Sequence, residues 1–84
     1  MLDEIRKAVK EGRGVIGKEV VLKELRKGGL KKVFLAKNTP TKLVEEVRHL
    51  GGLGDVEVVS LDIPNTELGV LCKKPFAIMV LGVR

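Results

Sequence analysis

The stretch VFLAKNTP at residues 33–40 contains the end of a strand and the start of a helix. Its first four residues are all apolar, which is typical of a strand that is covered on both faces. Asn38 or Thr39 is a candidate N-cap for the following helix, and Pro40 suits its first turn. Apolar residues then recur at helical spacing until the two glycines at 51–52. One strand therefore leads directly into one helix, which is the repeating unit of an α/β fold.

The same alternation of helix and strand continues on both sides of this stretch. The order is α-β-α-β-α-β-α-β with short connections, which predicts one domain over residues 1–84. Such alternation favours a three-layer α/β/α sandwich whose sheet is mostly parallel or mixed. The last strand is the most apolar and is predicted to be the most buried. The predicted helices cover residues 2–12, 17–27, 40–50 and 64–72, and the predicted strands cover residues 13–16, 33–36, 55–61 and 76–83.

Composition restricts the possible functions. Sixteen basic and eleven acidic residues give a net charge of +5, which favours an anionic partner. Phe34 and Phe76 are the only aromatic residues, which excludes modules that read single strands by stacking bases on several rings. One cysteine and one histidine exclude an internal disulfide and a Cys/His zinc cluster. No apolar run approaches the length of a membrane span, so we expect a cytoplasmic protein without a membrane partner.

No pattern of catalytic residues is present in the sequence. The dinucleotide and P-loop motifs do not occur, and Ser60 lies outside any nucleophile motif. His49 is expected on a helix surface, and Cys72 is expected to be a small buried packing residue. We therefore predict that the protein is not an enzyme and has no catalytic residue, metal, cofactor or small-molecule substrate.

The distribution of charge says more about function than the catalytic residue types do. Residues 17–32 carry six basic and two acidic side chains, a net charge of +4. A solvated helix face explains this pattern without any ligand. A binding site explains it too, because the helix begins at Gly17, where an anion could approach the backbone closely. We expect residues 17–19, 37–38 and 72–76 to share one edge of the sheet, where ligands of α/β folds collect.

Three blocks of sequence carry a family resemblance: VIGK at 15–18, VFLAKNTP at 33–40 and NTELG at 65–69. Their order and spacing resemble the L30e/L7Ae superfamily of ribosomal proteins, with the L30e branch the most similar. The resemblance implies a four-stranded mixed sheet within the sandwich. It also implies a large-subunit ribosomal protein that binds kinked RNA elements called kink-turns, with ribosomal RNA and other ribonucleoprotein components as partners.

The resemblance also implies which segments meet the RNA. These are the start of the second helix, the junction after the second strand, and the loop before the last strand. In this sequence they contain Gly17, Lys18, Glu19 and Lys23, then Lys37 and Asn38, and finally Cys72, Lys73, Lys74, Pro75 and Phe76.

Other interpretations remain open at this stage. Asn38 could act as an N-cap, as an RNA contact, or as both. In residues 67–69 we expect an exposed Glu67, a core Leu68, and a Gly69 that permits close approach of helix and sheet. The protein could instead be the core of a guide-RNA modification or processing particle, an accessory module of an RNA 2′-O-methyltransferase, or a protein–protein adaptor.

Overall fold

The computed structural model describes residues 2–84, and over these residues helices and strands alternate as predicted. The four helices are α1 (Leu2–Lys10), α2 (Lys18–Lys27), α3 (Thr41–Leu53) and α4 (Asn65–Leu71). The four strands are β1 (Gly14–Ile16), β2 (Lys32–Leu35), β3 (Glu57–Ser60) and β4 (Val80–Val83).

The sheet is mixed, and its strand order is β1-β4-β2-β3. β4 pairs antiparallel with both β1 and β2, whereas β2 and β3 are parallel. Leu35, the last residue of β2, lies opposite Val80, the first residue of β4. β1, β2 and β3 therefore end at the edge where β4 begins. We call this the Gly17 edge, because Gly17 follows β1 there.

Two hydrophobic clusters cover the two faces of the sheet. Val33 and Leu35 of β2 pack with α2 and α3, whereas Phe34 packs with α1 and α4. This division follows the pleat, which points successive side chains to opposite faces. All three residues are fully buried, so the prediction of a strand covered on both faces is confirmed. The three-layer α/β/α sandwich is confirmed as well.

Lys32 ties α1 to the sheet. Its Nζ lies 2.9 Å from Glu4 Oε1 and 3.7 Å from Glu57 Oε2. The same Nζ lies 5.3 Å from the centre of the Phe34 ring, within reach of a cation–π interaction. The hydrogen bond to Glu4 is the main cause that raises the Lys32 pKa above its ordinary value.

The start of α3 differs from the prediction. Its N-cap position is Pro40, and no side chain caps the helix, so the N-cap assignments to Asn38 and Thr39 are wrong. The Thr39 hydroxyl donates to the Ala36 carbonyl oxygen at 2.8 Å instead. α3 also continues through residues 51–52 to Leu53. Gly51 is buried there, and a Cβ on it would lie 2.9 Å from Val58 Cγ2. This glycine permits close packing on β3 rather than ending the helix.

The last strand is shorter than predicted. β4 begins at Val80, opposite Leu35, and beyond this pair only the bond from the Ala36 N–H to the Met79 carbonyl oxygen joins the two segments in the part of the chain that the structure describes. All four residues of β4 are buried, as predicted, but residues 76–79 form a loop in which Phe76 is 53% exposed.

α4 packs closely on that loop. Leu68 is fully buried and Glu67 is exposed, both as predicted. A Cβ on Gly69 would overlap the Phe76 carbonyl oxygen and lie 3.4 Å from Ala77 Cα. Gly69 therefore permits close approach of the helix to the loop, and not to the sheet as we had expected.

Candidate nucleic-acid interface

The N-terminus of α2 is open to solvent at the Gly17 edge. Gly17 occupies the N-cap position with φ 109° and ψ 137°, a conformation that L side chains rarely adopt. No side chain caps the helix, and no atom lies within 4 Å of a Cβ built on Gly17. The first N–H groups of a helix have no partner inside it. An anionic group can therefore reach these N–H groups and the exposed Lys18 beside them.

A groove of about 310 Å³ connects this helix start to the loop before β4. Gly17 and Lys18 form one side of it, and residues 76–80 form the other. Phe76 is 53% exposed and Met79 is 36% exposed, whereas Phe34 is fully buried. Phe76 is thus the one aromatic ring in residues 2–84 that can stack on a base.

Hydrogen bonds hold the loops of the Gly17 edge together. Asn38 Nδ2 donates to Asn65 Oδ1, and the Asn65 backbone N–H donates to Asn38 Oδ1, both at 2.9 Å. We call this pair the Asn38–Asn65 clasp. It joins the end of β2 to the first residue of α4, which explains why Asn38 is not available to cap α3.

Three backbone bonds extend this network, and two of them reach the loop before β4. The Ala36 N–H donates to the Met79 carbonyl oxygen at 2.8 Å, and the Ile78 N–H donates to that of Asn65 at 3.0 Å. The Lys37 N–H donates to the Ile63 carbonyl oxygen at 2.7 Å. Hydrogen bonds therefore join the loop after β2, the segment before α4 and the loop before β4.

Several of the residues predicted for RNA contact meet at this edge. Gly17 and Lys18 line the groove, and the exposed Lys37 and Asn38 follow β2. Lys74 lines an adjoining groove that also contains Phe76.

The groove at the Gly17 edge is not lined by Glu19, Lys23, Cys72 or Lys73. Glu19 nevertheless follows Lys18 directly in the first turn of α2. Glu19 and Lys23 are exposed on α2, four residues apart, and no ion pair joins them within residues 2–84. Lys73 lines a different groove, between α1 and α4. Cys72 is only 1% exposed, so its side chain cannot reach a ligand.

Neither Cys72 nor His49 forms a reactive site. Burial raises the pKa of the Cys72 thiol, and the nearby Lys74 charge opposes this only in part. Cys72 packs in the cluster with α1 and α4, and His49 is exposed on α3, as predicted for both. Across residues 2–84, no group of three potential ligands could hold a metal ion, and no helix could span a membrane.

The sequence predicts no role for three residues that lie at this edge. Asn65 completes the clasp, Met79 lines the groove, and Lys42 joins Lys18 and Met79 around a second depression. Sequence patterns do not reveal the Asn38–Asn65 pairing, which spans 27 residues. Met79 lies in an apolar run that is indistinguishable from a strand.

Comparisons with known proteins agree with this architecture. The model of the "Ribosomal protein L7Ae/L30e/S12e/Gadd45 family" matches residues 1–84. The chain is 37% identical over 79 residues to large ribosomal subunit protein eL30 of Methanocaldococcus jannaschii, covering 94% of this chain and 72% of the relative. It is 33% identical over 79 residues to that of Archaeoglobus fulgidus, covering 94% and 87%. Against eL30 of Candida albicans the identity is 33% over 75 residues, covering 89% and 71%.

Two solved structures share the fold at low sequence identity. A Bacillus halodurans protein described as being of unknown function has a TM-score of 0.88 and 21% identity, covering 98% of this chain and 81% of that chain. The Giardia lamblia 15.5kD RNA binding protein has a TM-score of 0.75 and 21% identity, covering 98% and 68%. At this identity the likeness concerns the fold alone.

Proposed function

Because the chain belongs to the ribosomal protein L7Ae/L30e/S12e/Gadd45 family, we propose that it is a non-catalytic, RNA-binding protein of the large ribosomal subunit. Its RNA is a kink-turn-like element, its partners are ribosomal RNA and neighbouring ribonucleoprotein components, and it acts in association with the ribosome. Residues 1–84 form one RNA-binding domain of the L30e type. The relatives named eL30 support the ribosomal assignment.

One observation carries the assignment to RNA. The Gly17 edge combines an open helix N-terminus, the exposed Phe76 ring and the lysines Lys18 and Lys37. Phosphates bind the helix N–H groups and the lysines, and an unstacked base lies on Phe76. A regular duplex offers no free base face to that ring. A kinked internal loop does, because its bases can be splayed out.

The remaining contacts follow the arrangement of the edge. Glu19 accepts hydrogen bonds from base-edge N–H groups, because a carboxylate presents no donor to compete with them. Asn38 contacts the RNA while the clasp with Asn65 orients its side chain. Lys23 and Lys74 neutralise phosphates. We assign no contact with this RNA to Lys73, which lines another groove.

The direct test compares a fluorescent kink-turn RNA with a straight duplex of equal length at about 0.15 M salt. The net charge of +5 alone attracts both RNAs, because phosphate neutralisation does not depend on sequence. We expect the kink-turn to bind at least about tenfold more tightly, a difference of about 1.4 kcal/mol. Equal affinities would reduce the protein to a generic basic binder.

Single substitutions test whether the kink-turn RNA contacts the Gly17 edge. Phe76→Ala should lower kink-turn affinity by about 1–3 kcal/mol, the usual contribution of a stacked base. Leu53→Ala is the matched control, because Leu53 is 75% exposed and lies at the end of α3, outside the Gly17 edge. Lys18→Ala should reduce the slope of log K against log salt by about one unit, whereas Lys7→Ala on α1 should not. Equal effects of Phe76→Ala and Leu53→Ala would contradict the proposed surface.

The particles with which the protein associates in the cell distinguish the ribosomal role from the alternatives. A tagged protein should co-sediment with large ribosomal subunits and crosslink to ribosomal RNA. Crosslinks confined to guide RNAs would favour a core protein of a modification particle instead.

A further inference from the structure

A groove of about 370 Å³ lies between α1 and α4. It shares no lining residue with the groove beside Gly17, but it shares Val70 with the groove that contains Lys74 and Phe76. Its apolar part consists of Val9 on α1 and of Val70 and Leu71 on α4. Val70 is 72% exposed, although it stands beside the fully buried Leu68 and Gly69 positions of the same helix. Val9 and Leu71 are partly buried against the core, and Val70 extends their apolar surface to solvent. We call this the α1–α4 groove.

Three cations surround the apolar part. Arg6 and Lys10 lie four residues apart on α1, which places them on the same side of the helix. Lys73 approaches from the turn after α4. None of the six lining residues is acidic. Arg6 has one carboxylate neighbour, Asp3, at 3.8 Å, and both side chains are mostly exposed, so this pair leaves the Arg6 charge available.

The backbone at Lys73 adds an independent observation. Lys73 has φ 57°, the left-handed conformation in which glycine is the usual residue after a helix. Its N–H donates to the Val70 carbonyl oxygen at 3.0 Å, which fixes the turn. A glycine at this position would form the same turn with less backbone strain. The chain tolerates the strain at a residue whose charged side chain lines the groove.

We propose that the α1–α4 groove is a docking site for an acidic amphipathic helix of a partner protein. Apolar side chains of that helix pack on Val9 and Val70, and its carboxylates pair with Arg6, Lys10 and Lys73. Recognition of this kind matches apolar anchors at helical spacing to an open groove. RNA fits the groove less well, because phosphates gain nothing from its aliphatic surface and no aromatic ring is present there to stack a base.

The experiment uses the whole 84-residue chain and a fluorescein-labelled synthetic helix of about 15 residues with Leu at i and i+4 and Glu beside them. One control peptide replaces each Leu with Ser, and another replaces each Glu with Lys. We expect the acidic amphipathic peptide alone to raise fluorescence anisotropy. Its binding should shift the backbone amide signals of Val70, Leu71 and Lys73 in ¹⁵N NMR spectra. The signals of Gly17 and Lys37, which do not line this groove, should stay in place.

Matched substitutions test the assignment on the protein side. Lys10→Glu should weaken the peptide at least about fivefold, the equivalent of roughly 1 kcal/mol. Lys7→Glu makes the same charge change on the same helix, outside the groove, and should change affinity by less than about twofold. Val70→Ser should weaken binding by a similar factor to Lys10→Glu, with Leu53→Ser as its control.

Lys73→Gly removes a cation and the backbone strain together. It should weaken the peptide while the free energy of unfolding stays the same or rises, so a loss of binding cannot be attributed to misfolding. The preference for kink-turn RNA over the straight duplex should be unchanged in the Lys7→Glu, Lys10→Glu and Lys73→Gly variants, because a general loss of positive charge weakens both RNAs alike. This keeps the test separate from that of the proposed function.

Three results would overturn the proposal. The first is no binding of the acidic amphipathic peptide, or equal binding of its Ser control. The second is an equal effect of Lys7→Glu and Lys10→Glu. The third is a straight RNA duplex that displaces the peptide and shifts the same amide signals, which would make the groove a second RNA surface.

Discussion

Gly69→Ala tests how closely α4 packs on the loop that carries Phe76. A Cβ at Gly69 would overlap the Phe76 carbonyl oxygen and lie 3.1 Å from its carbonyl carbon. Non-bonded carbon atoms prefer separations of about 3.5–4.0 Å. The loop cannot simply move away, because the Lys74 N–H donates to Gly69 and the Ile78 N–H donates to Asn65, both at 3.0 Å. The added methyl group therefore has to strain either the loop or α4.

The expected magnitude follows from opposing effects. Replacing a helical glycine with alanine stabilises a helix by up to about 1 kcal/mol. Forcing a methyl group into packed space costs about 1–3 kcal/mol, and straining each of two hydrogen bonds costs about 0.5–1.5 kcal/mol. We expect the free energy of unfolding to fall by about 2–4 kcal/mol on balance. For a domain of this size, the midpoint of thermal unfolding should fall by about 10–25 °C.

Urea unfolding with linear extrapolation measures this change, and Gly52→Ala is its matched control. Gly52 lies within α3, and no atom stands within 4 Å of its added Cβ. Gly52→Ala should therefore leave the free energy of unfolding unchanged or raise it by up to about 1 kcal/mol. A Gly69→Ala protein as stable as wild type would refute the close contact. Where Gly69→Ala remains folded, its kink-turn affinity should also fall, because Phe76 is displaced.

Three further predictions address the binding edge and the sheet. Glu19→Gln should weaken kink-turn binding by about 1–3 kcal/mol and leave duplex affinity unchanged or higher; titration of both RNAs measures this, and tighter kink-turn binding would contradict the role of Glu19 as an acceptor. Asn38→Ala loses both hydrogen bonds of the clasp and should destabilise the fold by about 1–2 kcal/mol, whereas Asn65→Ala loses one and should cost about half of that in urea unfolding. The hydrogen bond to Glu4 is the main cause that raises the Lys32 pKa. The stability difference between wild type and Lys32→Met should therefore be fully present below pH 10.5 and disappear as the pH rises through the folded-state pKa. A difference that persists at higher pH would show that Lys32 stabilises the fold by packing and not by its charge.

Much of the fold could be predicted because local patterns agree with the tertiary structure. The run at 33–36 predicts a doubly covered strand, and the sheet buries Val33, Phe34 and Leu35 completely. The predictions that fail depend on distant partners. Hydropathy alone extends the last strand back to Phe76, but β2 ends opposite Val80. Asparagine is a common N-cap residue, but the Asn38 side chain forms hydrogen bonds with Asn65 instead of capping α3.

The candidate site was predictable in part for the same reason. Segments that follow parallel strands meet at one edge of an α/β sheet, so Gly17 and Lys37 could be placed together before the structure was known. Lys73 and Lys74 are neighbours in sequence, but they line different grooves. The left-handed turn at Lys73 separates them, and a turn that uses a residue other than glycine leaves no signal in the sequence.

The central position of β4 has a consequence for synthesis of the protein. Within residues 2–84, β4 is made after all the other strands, yet it is the strand that hydrogen-bonds β1 to the rest of the sheet. In a nascent chain that ends before Val80, β1 and β2, which precede Gly17 and Lys37, have no strand between them. The Gly17 edge therefore reaches its folded arrangement only after β4 has joined the sheet.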